Sequence, residues 1–186
     1  MWSGGGTYNG WATFLERWGA GEATDSTHLP PLEPADFTGD TWERLVLRLT
    51  DAISRRLRSW ADALTRAMAE STDEFTVGRA LSQARSGLRA VRDLAQHPGL
   101  PQDLRDRLVD LVDRQVDSAQ QSLEEQVDRM RSNGVDAQLV EARRRTIRDN
   151  PLTAVAATQQ ATSPAPTTGD WFVDPAGTGR RRVILD

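Results

Sequence analysis

The sequence predicts a mainly α protein: an elongated antiparallel three- to four-helix bundle, with a short aromatic helix at the N-terminal end and a β-hairpin at the C-terminal end. Between residues 42 and 130, apolar side chains recur at steps of three and four along three consecutive stretches. The breaks between them are only a few residues long, which favours antiparallel neighbours packed on each other. At 38% hydrophobic and 27% charged, the 186-residue chain holds enough apolar material for one modest core, with tails left over.

Residues 1–39 read as a flexible N-terminal segment. Its first ten residues are glycine-rich, and Asn9 is placed to cap a short helix bearing Trp11, Phe14, Leu15 and Trp18 at i, i+3, i+4, i+7. Gly19 and Gly21 end that helix. Pro30, Pro31 and Pro34 make the following stretch an extended connector.

The helical bundle is expected over 40–157. Its first helix starts at Asp40 or Thr41, with Trp42, Leu45, Val46, Leu49, Ile53, Leu57, Trp60, Leu64 and Met68 as its stripe. Ser71 and Glu74 have the spacing of a capping box. The second helix carries Val77, Leu81, Ala84, Leu88, Val91 and Ala95, close to a 3.5-residue coiled-coil-like repeat. His97-Pro98-Gly99 is a turn, and Pro101 suits the first turn of the third helix. That helix runs through Leu104, Leu108, Leu111, Val112, Val116, Ala119, Leu123, Val127 and Met130, and Asn133-Gly134 stops it. A fourth helix spans about 136–149, and Asn150-Pro151 closes it and caps a short following helix through Val155. The first helix, at about 28 residues and 42 Å, offers more stripe than a thin three-helix core covers. A homodimer pairing helices between chains is therefore the competing arrangement.

Residues 158–170 are rich in Thr, Ala, Gln and Pro and read as linker. In 171–186, Trp171-Phe172-Val173 and Val183-Ile184-Leu185 flank a Pro/Gly turn, the pattern of a β-hairpin. Two strands are marginal alone, so this hairpin is expected to dock, on a partner in preference to its own helices.

Several chemistries are excluded by composition. There is no cysteine, hence no disulfide, thiolate nucleophile or Cys-ligated metal. All 23 basic residues are arginine, so Schiff-base and P-loop lysine chemistry are absent. His28 and His97 lie in the connector and beside a proline turn, without the partners a metal or catalytic motif needs. Glu124, Glu125 and Asp128 are explained as one side of a charged helix. No cofactor is expected, and the chain is expected not to be an enzyme.

No secretory signal or bilayer-spanning run is visible, so a soluble, cytoplasmic protein is expected. The expected function is protein–protein interaction or assembly: a helical spacer or dimerisation core whose ends engage another protein. Trp11, Phe14, Leu15, Trp18, Trp171, Phe172, Val183, Ile184 and Leu185 are the candidate contacts. Folding of the aromatic helix back onto its own bundle is the competing reading of the first four. Arg143, Arg144, Arg145 and Arg148 form a basic cluster that could meet phosphate. The net charge of −4 and pI near 5.3 oppose a nucleic-acid partner. A small-molecule sensor with a ligand between helices is the remaining alternative.

Overall fold

A computed structural model describes residues 4–154, and they form five α-helices with no strand among the described residues. In chain order these are α1 (Gly4–Gly19), α2 (Gly39–Glu70), α3 (Glu74–Ala95), α4 (Gln102–Ser132) and α5 (Ala137–Asp149). Short 3-10 turns at Pro34–Asp36 and Leu152–Ala154 punctuate the ends. The expected linker 158–170 and β-hairpin 171–186 lie outside the described residues.

The three stripes read from sequence become the core. Leu45, Leu49, Ile53, Leu57, Trp60, Leu64 and Met68 of α2 are buried. So are Val77, Leu81, Ala84, Leu88, Val91 and Ala95 of α3, and Leu104, Leu108, Val112, Val116, Leu123 and Val127 of α4. Burial of such side chains is worth roughly 1.5–3 kcal/mol each, and it is the main force joining the helices. These contacts are all made within one chain.

Helix length decides the architecture. α2 has 32 residues and α4 has 31, but α3 has only 22. The ten-residue deficit is about 15 Å at 1.5 Å per residue, too much for a simple three-helix bundle to leave bare. α1 packs on α2 and reaches the α3–α4 turn, where the Trp11 ring meets His97 edge-on at 5.5 Å. At the opposite end α5 packs on both α3 and α4. The short helices therefore close the two ends of the long ones.

Several boundaries differ from expectation, each for a local reason. α1 runs through Asn9, so Asn9 is not its cap; Tyr8, one turn before Trp11, packs partly buried on the core. The cap of α3 is Asp73, not Ser71. Its carboxylate accepts from the Thr76 N–H at 2.8 Å while the Thr76 hydroxyl receives the Asp73 N–H at 3.3 Å, a complete reciprocal box. Ser71 instead turns back to the Ala67 carbonyl. At the end of α4, Gly134 takes φ +76°, the left-handed geometry that glycine allows. Asp136 caps α5 by accepting from the N–H groups of Gln138 and Leu139.

The connector is pinned along its length. The Trp11 indole N–H donates to the Pro30 carbonyl at 2.8 Å, and the Leu32 N–H donates to the Gly99 carbonyl at 2.7 Å, with Leu32 buried. The Gly99 N–H donates to His97 Nδ1 at 3.1 Å, so the ring's hydrogen sits on Nε2, which donates to the Ser26 carbonyl at 2.9 Å. At the far end of the connector, the Arg56 guanidinium lies 4.9 Å over the Trp18 ring and donates to the Glu22 carbonyl. Pinned at these points, residues 20–38 form a strap across the bundle, where the sequence suggested a flexible tether.

Candidate functional site

The N-terminal candidates are buried in the chain's own bundle. Trp11 is fully buried, Leu15 and Trp18 nearly so, and Phe14 is 8% exposed. Trp11 packs edge-to-face on Phe14, and Phe14 stacks on Trp18, each pair at 6.4 Å. These rings pack against the start of α2, the arrangement in which the aromatic helix folds back onto its own bundle. The physical reason is the overhang left by the short α3: the nearest large apolar surface for this helix is its own bundle. Trp171, Phe172, Val183, Ile184 and Leu185 lie outside the described residues.

The arginine cluster separates into three roles. Arg143 turns inward and donates to the carbonyls of Met68 and Ser71 at 2.8 and 2.9 Å, satisfying the end of α2, with Met130 Sδ at 3.4 Å. Partial burial lowers its pKa from the ordinary arginine value. Arg144 pairs with Asp128 across the α4–α5 junction. Arg145 and Arg148 remain exposed. Two of the four guanidinium groups are thus spent on holding helices, which halves what the cluster can offer to phosphates.

The exposed apolar residues lie elsewhere. Phe75 is 77% exposed, Leu47 67% and Leu139 42%; no other large hydrophobic among the described residues is comparably open. Leu139 lines a cleft of 190 Å³ with Ser71, Thr72, Asp73, Glu74, Val77 and Arg143. Phe75 follows Glu74 on the first turn of α3. The first turns of α3 and α5 therefore share one corner of the bundle, where Leu139 lines the cleft and the exposed Phe75 lies next in sequence to its wall residue Glu74. Asp73, at the rim, is held below the usual carboxylate range by the backbone N–H of Thr76.

Sequence reading did not single out Phe75, the most exposed large apolar side chain among the described residues. The available signal was its register: it sits two residues before Val77, off the stripe that Val77, Leu81 and Ala84 define.

Other clefts exist. One of 290 Å³ runs between α2 and α3 along Ala63, Ala67, Ala80, Ala84 and Gly87, beside Trp60, whose indole N–H donates to the Ala84 carbonyl at 2.9 Å. A larger one of 550 Å³ lies between α4 and α5. No group of three or more metal-capable side chains occurs among the described residues, and no described helix is long and apolar enough to cross a membrane.

No protein-family model matches the chain, and comparison with curated proteins and with solved structures finds no match either. The functional reading therefore rests on the chain's own geometry.

Proposed function

We propose that this is a non-enzymatic interaction or assembly protein, a helical scaffold that presents the Phe75–Leu139 corner to another protein. The observation that carries the reading is the pair of exposed apolar side chains at this corner, Leu139 lining the cleft and Phe75 next in sequence to its wall residue Glu74. An aromatic residue left in water next to a recess is the usual form of a binding anchor. The corner is built on two capped helix starts, so the anchor is held on rigid backbone and little ordering entropy is lost when it is covered. The small size of the cleft suits one or two side chains of a partner, which points to a transient contact more than an obligate one.

The test compares affinity purification from the native cell using full-length protein and the Phe75→Ser/Leu139→Ser double variant. A protein retained by the first and lost by the second, with helical circular dichroism unchanged, supports the corner as the contact. Equal recovery of every bound protein refutes it. Sedimentation of both forms reports at the same time whether a second copy of the chain is the bound partner.

A further inference from the structure

The 550 Å³ groove between α4 and α5 is independent of the Phe75 corner. Val127 and Ile147 form its floor, and Gln120, Glu124, Asp128, Arg144, Arg148 and Pro151 its walls. Pro151 leads into the last described turn, Leu152–Ala154. Leu152 is fully buried, and its N–H donates to Gln120 Oε1, so residues 152–154 are anchored at the rim of the groove.

We propose that this groove is the docking site for the chain's own segment Asp170-Trp171-Phe172-Val173-Asp174. Three observations assign the occupant. The first is reach. Residues 155–170 lie between the anchored turn and Trp171, and a chain of that length spans at most about 55 Å. Arg144 and Arg148 are one helical turn apart, about 6 Å, and lie just before the anchor.

The second is charge. The segment places a carboxylate on each side of its apolar run. α5 offers Arg148 exposed in the groove and Arg145 exposed beside it, neither in an ion pair among the described residues. The acidic wall on α4 is already answered inside the bundle, Asp128 by Arg144 and Glu124 by the Gln120 amide at 3.0 Å.

The third is shape and chemistry. Planar guanidinium groups above an aliphatic floor accept an aromatic ring by stacking and carboxylates by hydrogen bonding. A tether of this length holds the segment at a local concentration on the order of millimolar. At micromolar protein, the chain's own copy outcompetes that of a second molecule.

The chain lacks cysteine, so the full-length protein is suited to a disulfide proximity test. Glu124→Cys is combined with Val173→Cys, and the reference pair joins Asp51→Cys on α2 to the same Val173→Cys. Under mild oxidation, docking gives a monomeric disulfide in the groove pair at least about tenfold faster than in the reference pair. Adding Arg148→Glu returns the rate to the reference level, whereas Arg148→Lys retains most of the enhancement. Arg148 is exposed, so circular dichroism should be the same in all forms. Equal rates for the two pairs, a disulfide-linked dimer as the main product, or indifference to Arg148→Glu would each overturn the assignment.

Discussion

Replacing Trp11 by alanine tests the role of α1 directly. The indole is fully buried, makes ring contacts to Phe14 and His97, and donates its N–H to the Pro30 carbonyl. Large-to-small changes of this kind cost about 3–5 kcal/mol, since both transfer energy and cavity count against the variant. For a chain of this size each kcal/mol lowers the melting temperature by roughly 2–4 °C, so a drop of roughly 6–20 °C is expected. Thermal melts followed at 222 nm, backed by urea midpoints, measure it. The loss should be matched or exceeded by deletion of residues 1–20, which removes Phe14, Leu15 and Trp18 as well. A melting temperature within 2 °C of the parent protein, in a two-state transition with unchanged m-value, would show that α1 is not part of the cooperative core.

Other outcomes follow from particular contacts. Gly78→Ala places a methyl group 3.9 Å from Thr146 Cγ2, an ordinary contact, and should stabilise by about 0.5–1 kcal/mol through helix propensity. Gly87→Ala sets the same methyl 3.3 Å from Trp60 Cδ1; that ring is fixed by its bond to Ala84, so the variant should melt below the parent protein, and a gain equal to that at position 78 would show the ring free to move. His97→Phe keeps ring volume but strands the Gly99 N–H and the Ser26 carbonyl, at about 1–3 kcal/mol, and should speed hydrogen exchange in residues 26–32 before it affects α2. Asp73 has its carboxylate pKa lowered in the fold, so its cap contribution is present above the ordinary value of 3.8 and is lost as pH falls through the lower folded value; the stability difference between the parent protein and Asp73→Ala should therefore shrink only below pH 3.8.

The helices were legible because each stripe is written in periodicity, which is a local property. Leu49, Leu88 and Val116 are buried where steps of three and four put them. Caps were less legible. Ser71 and Asp73 both have cap chemistry and both precede an apolar run, and the choice fell to Asp73 because Thr76 could answer it. The fate of Trp11 and Trp18 was not legible, since an aromatic stripe reads the same whether it meets its own bundle or another protein. What decided it was the shortness of α3 relative to α2, a difference in length between elements that no single segment displays. Arg143 illustrates the same limit. In sequence it is one of four similar cations, and only the fold brings the Met68 and Ser71 carbonyls to it.

The strap has a consequence for how the chain acquires its structure. Many neighbours in space are neighbours along the chain, α1 with α2, α2 with α3, α3 with α4, α4 with α5, while the strap and the seating of α5 on α3 and the end of α2 are the long-range exceptions. Such local pairing belongs to proteins that fold within microseconds to milliseconds. The bonds from Ser26 and Leu32 to the 97–99 turn join points separated by some seventy residues, and their closure entropy is repaid only once α2 and α3 stand together. Docking of the strap, like the seating of α5, is therefore a late event. Until α1 and the strap are both seated, the start of α2 lacks its full cover, and a ribosome-bound or freshly diluted chain is most prone to clump through Leu45 and Leu49.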